Sequence, residues 1–249
     1  MKTKINWSKS FTIAALLAAG IPSMANAQDK VKASAGGDIV SSYIWRGTDC
    51  GGISIQPHLS VAYKGFSLGA WGSVGLNSED TKEMDFILGY THGGLSLALT
   101  DYWFFPSDES QQIGYFKYAA HNTQHVFEIT AGYDFGVMGI SWNTNFAGSD
   151  YHNADGKRSY STYIALTAPF KLAGLDWKAP YKQAALDWNA EVGLTPWEGA
   201  YADKFNVTNL SLKASKELPV TKQFSLPLFA QVVFNPYTQG AYFVFELSL

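Results

Sequence analysis

A strict alternation of apolar and polar side chains over residues 53–64 constrains the fold of this chain more than any other feature. Its apolar members are Ile53, Ile55, Pro57, Leu59, Val61 and Tyr63, and polar or small residues separate them. A period of two is typical of a β-strand, because successive side chains point to opposite faces. The run is about twice as long as the usual soluble strand and matches a tilted strand that crosses a bilayer. This segment therefore predicts a membrane-spanning strand.

The same alternation recurs along the chain, whereas no apolar run, including the one over residues 11–21, reaches the roughly 20 residues that a spanning helix needs. Bacterial outer-membrane barrels have even strand numbers. We therefore expect an all-β protein, a transmembrane antiparallel β-barrel of about 12 strands with a range of 10–14. The predicted strands are 37–46, 53–64, 66–76, 83–90, 95–99, 127–134, 138–145, 160–166, 186–194, 209–214, 224–234 and 243–249.

The first 27 residues have the pattern of a secretory signal peptide. Lys2 and Lys4 precede a short apolar run over residues 11–21, and Ala25 and Ala27 form a small-residue cleavage site. We expect residues 1–27 to be removed and residues 28–249 to form the barrel in the cell outer membrane. Three of the 18 basic residues and none of the 21 acidic ones lie in this leader, so the mature chain carries a net charge of −6. That balance disfavours nucleic acid as a partner.

The connections between predicted strands alternate between tight and long. Tight ones lie near Lys64-Gly65 and residues 92–94, 134–136 and 217–221. Long ones are 47–52, 106–124, 148–157 and 195–204. Short turns of such barrels face the periplasm and long loops face outward. Residues 170–184 break this rule, because a long segment with an extra candidate strand around Leu172 to Trp177 lies where a short turn is expected.

The polar faces of the strands predict a charged lumen. Its ionisable members are Asp38, Arg46, His58, Lys64, Glu83, Asp85, Glu128, Asp187, Glu191, Lys213 and Glu246. We take as candidate binding residues of the lumen Arg46, Glu83, Asp85, Glu128, Asp187, Glu191 and Lys213. Acidic groups outnumber basic ones in this row, so an open lumen would weakly favour cations. The expected partners are outer-membrane lipid and small solutes or ions, and the sequence leaves the oligomeric state open.

Three other interpretations remain beside a small-solute channel. The inward charges could pair across a closed structural barrel, whose loops 106–124 and 148–157 could bind a partner. The His58-Leu59-Ser60 triplet places His58 and Ser60 on one strand face, as in some lipid-hydrolysing barrels, but that face points inward and no carboxylate is assigned to orient His58. A secreted β-sandwich could also use such strands. We expect no enzyme, no cofactor and no metal site, since the sequence lacks a nucleophile elbow, a phosphate loop and zinc-ligand spacing.

Two groups of motifs resemble a known family. The first contains Ser41-Ser42-Tyr43-Ile44-Trp45-Arg46-Gly47, Ser54, Gln56-Pro57, Gly65-Phe66 and Trp71, and the second contains residues 207–213 and 225–229. They resemble the TorF-type porin family in the version found in Bacteroides-type bacteria, also described as an uncharacterised exported family with a Gly, Cys and Trp signature. The resemblance implies an outer-membrane barrel of porin-like description. It supplies no established substrate and no catalytic residues.

Overall fold

The structure is a computed structural model that describes residues 30–80, 82–105, 114–119, 122–171, 186–221 and 225–249. Its described residues are all β. Fourteen strands are present there: β1 Lys32–Val40, β2 Tyr43–Trp45, β3 Thr48–Gly51, β4 Ser54–Tyr63, β5 Phe66–Gly75, β6 Lys82–His92, β7 Leu95–Phe105, β8 His125–Asp134, β9 Gly139–Gly148, β10 Thr162–Lys171, β11 Asp187–Thr195, β12 Asn206–Pro219, β13 Ser225–Asn235 and β14 Gly240–Ser248. Within these ranges, no helix is long and apolar enough to cross a membrane.

Twelve of these strands form a closed antiparallel barrel, which confirms the predicted fold class. Each strand from β4 to β14 pairs with its neighbour in chain order, and β1 closes the sheet between β14 and β4. At the seam, Asp38 pairs with Ser248 and Val40 pairs with Glu246. Because the sheet closes on itself, the alternative of a β-sandwich is wrong.

The alternating pattern assigns side chains to the two faces of the barrel wall as predicted. On β4, Ile55, Leu59 and Val61 point outward and are exposed, whereas Ser54 and Ser60 point inward and are buried. The outward face carries many exposed large apolar side chains from most strands. The apolar surface is thus on the outside, and polar residues dominate the interior.

The two ends of the barrel differ. At the tight-turn end, connections lie at residues 64–65, 93–94 and 135–138, as predicted. At the long-loop end lie connections 41–53, 106–124, 149–161 and 196–205. Strand β10 ends and β11 begins at the tight-turn end. The extra strand predicted around Leu172 to Trp177 falls outside the described residues, as does the predicted signal peptide of residues 1–27.

The first predicted strand is wrong in its bounds. It was expected over Gly37 to Arg46, but β1 covers Lys32–Val40 and ends before the aromatic motif. Residues 41–53 instead form a separate unit, in which β2 and β3 pair only with each other. We call this unit the plug hairpin. Its side chains contact the inner wall of the barrel, so the hairpin lies inside the lumen. Residues 41–46 were predicted as part of the first strand and residues 47–52 as an outer loop.

Candidate functional site

The plug hairpin turns at Arg46 and Gly47. Both have a left-handed backbone, with φ of 53° and 81°, and they connect the paired residues Trp45 and Thr48. A two-residue turn with two positive φ values is the type that matches the twist of a β-hairpin. Arginine rarely adopts this conformation, so its place at the turn indicates that the surrounding contacts hold it there.

The Arg46 guanidinium lies at the centre of the long-loop half of the lumen. Its two terminal nitrogens donate to the two carboxylate oxygens of Glu128 on β8, at 2.5 and 2.8 Å. The same guanidinium donates to the Tyr201 hydroxyl at 2.5 Å, and Tyr102 donates to Glu128 at 3.0 Å. The ion pair is almost fully buried, with side chains 9% and 1% exposed. A bidentate pair in this setting fixes the position of the hairpin relative to the wall.

Aromatic rings surround the guanidinium on its other sides. The Arg46 Cζ atom lies 4.3 Å from the ring centroid of Trp45, 5.0 Å from that of Tyr163 and 5.7 Å from that of Tyr201. The Trp45 ring also contacts Tyr102 edge to face, at 5.6 Å between centroids. Such cation–π contacts add stabilisation when the charge is removed from water. The Glu128 carboxylate outweighs the effect of burial and raises the pKa of Arg46, so the arginine stays charged.

The hairpin backbone is fixed to the wall at a second point. The Asn235 amide on β13 donates to the Gly47 carbonyl oxygen at 3.0 Å. Gly47 lies so close to β12 that a β-carbon there would overlap the Thr208 carbonyl oxygen. Only glycine fits at this position, because both the φ angle and the close approach exclude a side chain.

Two buried carboxyl groups lie behind the hairpin. The Tyr43 hydroxyl donates to Glu83 at 2.8 Å, and Asp85 lies two residues further along the same strand. Both carboxyl groups are at most 5% exposed. Glu83, Asp85 and Glu128 therefore face the lumen as predicted, but the plug hairpin covers them.

A cavity of about 640 Å³ lies below the hairpin, in the tight-turn half of the lumen. The hairpin forms its roof through Tyr43, Trp45 and Arg46, and strands β1, β4, β5 and β9 to β14 form its walls. Besides Arg46 in the roof, two predicted binding residues of the lumen, Glu191 and Lys213, line this cavity. Asp187 begins β11 at the tight-turn end, where its side chain is exposed and is not part of the lining.

The structure divides the predicted binding residues into three groups, apart from Asp187, which is exposed at the tight-turn end. Glu128 joins Arg46 in the plug, Glu83 and Asp85 form a covered pair, and Glu191 and Lys213 face the cavity. Arg46 lies on the hairpin and not on a barrel strand, which corrects its predicted position. Lys64 is also not a lumen residue, because it lies in the exposed tight turn with φ of 49°.

The sequence analysis did not identify the residues of the barrel wall that hold the plug hairpin in place. Tyr163, Tyr201 and Asn235 have no individual sequence signal, because each contacts the hairpin across a long distance in the chain. One signal was available: an Arg-Gly pair between Trp45 and Thr48 fits a two-residue hairpin turn. That reading would have ended the first strand earlier.

His58 and Ser60 face the interior, as the alternation predicts. The Ser60 hydroxyl lies 2.8 Å from that of Ser34, and the nearest acidic partner of His58 is Asp38, with 3.8 Å between Nδ1 and Oδ2. The sequence assigned no carboxylate to His58, so Asp38 is an addition from the structure. The pair lies on the inner face of the wall, away from the apolar outer surface on which a lipid hydrolase would act.

Loop 106–124 approaches the outer wall of the barrel in its described part. The two ring nitrogens of His125 lie 2.6 Å from the Asp101 carboxylate and 2.6 Å from the Tyr115 carbonyl oxygen. The Tyr118 ring stacks on the imidazole, with 4.3 Å between the centroids. These contacts fix the described part of the loop against the wall near Trp103.

Loop 149–161 is held by its own polar residues. Asp150 accepts hydrogen bonds from the Asn145 amide and from the Ser161 backbone N–H, both at 3.1 Å. The Arg158 guanidinium donates to the Gly148 carbonyl oxygen at 2.8 Å. In the part of the chain that the structure describes, no group of three or more His, Cys, Asp or Glu side chains is placed to hold a metal ion.

Comparison with known proteins gives a family but no activity. No protein of curated function matches the chain. The model of one family, described as a bacterial protein of unknown function (Gcw_chp), matches residues 24–216. This match covers most of the barrel, including the plug hairpin and the strand β8 that carries Glu128, but it ends before β13 and β14. The chain therefore belongs to the Gcw_chp family of bacterial proteins.

Proposed function

We propose that this protein is a porin-like barrel of the bacterial outer membrane that passes small solutes through a lumen closed by the plug hairpin. The apolar outer face supports the membrane setting, because a sheet in hydrocarbon must close and present apolar side chains to lipid. Outer-membrane lipid is then the partner of the wall. The resemblance to TorF-type porins and the predicted export signal agree with this location.

The observation that carries the proposal is the polar cavity beneath the hairpin. A barrel with only a structural role can fill its interior with packed side chains, as small barrels do. Here about 640 Å³ remains open within the wall, and polar and charged side chains contribute much of its lining. In the resting state the hairpin separates this space from the long-loop end. Passage then requires movement of the hairpin.

Conductance of the full chain in planar lipid bilayers tests the proposal. The wild type should show rare or small current steps, because Arg46 and Glu128 hold the plug in place. Arg46→Ala should give larger and more frequent steps with a reversal potential that favours cations, since carboxylates dominate the remaining lumen. The matched control is Arg158→Ala, which removes an arginine of a surface loop and should behave like the wild type.

A closed structural barrel is the second candidate function, and the buried Arg46–Glu128 pair favours it. A plug that is held by a buried ion pair is expected in a barrel that never conducts. The function of such a barrel would lie in its loops, which would bind a partner. The same recordings separate the two functions, because a closed barrel gives no current in the wild type or in Arg46→Ala. In both cases we propose a role without catalysis.

Location in the outer membrane has its own test. The full chain should sediment with outer-membrane fractions and should need detergent to stay monodisperse. A mature chain that remains in solution without detergent would contradict the membrane setting, whatever the conductance experiments give.

A further inference from the structure

The chemistry of the cavity below the plug hairpin indicates which solutes it takes, and this inference rests on the proposed function. The cavity extends from the hairpin towards Glu217 and Leu249 near the tight-turn end. It is large enough for a small organic molecule, and it lies within the range of known ligand pockets. The charges, the hydrogen-bonding groups and the aromatic rings of its lining each limit the ligand.

Carboxylates exceed cationic groups in this lining. Asp38, Glu191, Glu217 and Glu246 face the described cavity. Lys213 and His58 are the cationic or ionisable basic groups near them, while Arg46 in the roof is already paired with Glu128. Walls of low polarisability concentrate the field of such an excess, so the cavity attracts positive charge and repels anions.

The hydrogen-bonding groups of the lining favour a ligand that carries a hydrogen-bond donor. Asn209 is 5% exposed and lines the cavity. Its amide nitrogen donates to Tyr163 and Glu191, but its buried carbonyl oxygen Oδ1 has no hydrogen-bond partner among the described residues. A buried acceptor without a partner is costly, and a ligand N–H would relieve that cost.

Aromatic rings complete a surface for a cation. Trp71, Tyr163 and Phe229 all line the cavity. The Lys213 ammonium already lies over the Phe229 ring, at 3.2 Å from Nζ to the ring centroid. This contact shows that the lining accommodates an ammonium group on a ring face as well as beside carboxylates.

We propose that the cavity binds small organic cations that carry N–H donors, such as aliphatic amines and diamines. The ligand ammonium groups lie among Asp38, Glu246 and Glu191, and one N–H bonds to Asn209 Oδ1. Neutral sugars lack the charge that the carboxylates select, and anions are repelled by them.

Calorimetric titration of the full chain in detergent micelles tests this selectivity without requiring passage. The probes are 1,4-diaminobutane, glucose and succinate. The diamine should bind, and glucose and succinate should bind at least tenfold more weakly or not at all. Near-isosteric variants Glu246→Gln and Asp38→Asn should each weaken diamine binding at least tenfold. The matched control, Glu79→Gln in an exposed loop, should leave it unchanged.

Several results would overturn the inference. These are absence of diamine binding to the folded wild type, equal or tighter binding of glucose, and equal losses in Glu246→Gln and Glu79→Gln. Circular dichroism establishes whether each variant is folded. If a variant does not fold, the wild type still gives a test: high salt should weaken its binding of the diamine. Failure of this inference can be distinguished from failure of the proposed function. A barrel that conducts but does not bind the diamine contradicts only the proposed ligand class. A barrel that binds the diamine but does not conduct contradicts only the proposed channel function.

Discussion

The two halves of the lumen are built from the same alternating strands but differ in what fills them. In the long-loop half, the plug hairpin brings Arg46 against Glu128 and three aromatic rings. In the tight-turn half, the inward side chains of β11 to β14 leave a cavity of about 640 Å³. The difference shows that a barrel wall decides only which side chains face inward. Whether the interior is closed depends on a segment that the wall does not contain.

The halves also differ in how their charges are neutralised. The Glu128 carboxylate has a dedicated cation in the plug and two phenol groups nearby. The cavity carboxylates share a single lysine and one histidine among the described lining residues. This contrast agrees with the proposed function, in which the long-loop half holds the plug and the tight-turn half takes up solutes. Four predictions test this comparison.

The largest expected effect comes from removal of the plug's acidic partner. Glu128→Ala should lower the free energy of unfolding by about 3–5 kcal/mol, because it leaves the buried Arg46 guanidinium without a counter-charge. Reversible urea unfolding in detergent micelles measures this change. The double variant Arg46→Ala/Glu128→Ala should lose less than the sum of the two single losses. Glu79→Ala on the surface is the control, and a loss below about 1 kcal/mol in Glu128→Ala would contradict a rigid plug.

The second effect separates close packing from backbone strain. Gly47→Ala should destabilise the protein by more than about 1 kcal/mol, because the new β-carbon overlaps Thr208 and φ is positive. Gly136→Ala is a matched control, since Gly136 has a φ of 83° and open space around the β-carbon position. Urea unfolding of both variants should show the larger loss at Gly47. Equal losses would mean that the hairpin does not press against β12.

The third effect uses Cys50, the single cysteine of the sequence, as a reporter of the hairpin position. Burial and then the Glu83 carboxylate raise the pKa of its thiol to about 12, so little thiolate is present at pH 8. Maleimide labelling of the wild type should therefore be slow. Arg46→Ala should accelerate labelling at least tenfold by releasing the hairpin, whereas Arg158→Ala should not. Fast labelling of the wild type would indicate that the plug is already mobile.

The smallest effect concerns the rim of the hairpin. Asp80 accepts backbone hydrogen bonds from Gly52 and Asn77, both at 3.0 Å, and these bonds lower the pKa of its carboxyl group. A lowered pKa stabilises the fold above the unfolded value of about 3.9, and the gain is lost as the pH falls through the folded value. Asp80→Asn should lower Tm by about 1–2 °C at pH 7.

The pH dependence checks the cause of that effect. The difference in Tm between Asp80→Asn and the wild type should shrink as the pH falls below about 4. Asp155→Asn in another loop serves as the control. A difference that is constant with pH would show that the charge of Asp80 contributes nothing to the rim.

Much of the wall could be predicted from the sequence, because it follows from a local rule. Residues 186–194 illustrate this point: Trp188, Ala190 and Val192 point outward and Asn189 and Glu191 point inward, as the alternation predicts. The predicted number of about 12 barrel strands was also confirmed. The first strand was misplaced because Tyr43 and Trp45 continue an alternating pattern, and only the Arg46-Gly47 turn distinguishes a hairpin from a longer strand.

By itself, the sequence determined the fold class, the inward and outward faces and the acidic excess of the lumen. Each of these depends on residue type and a period of two, which are properties of neighbouring residues. The tertiary structure alone decided that the plug hairpin enters the lumen, that Arg46 pairs with Glu128 and that a cavity remains below. Those features join residues up to 188 positions apart, such as Gly47 and Asn235, and closure of the sheet is what brings them into contact.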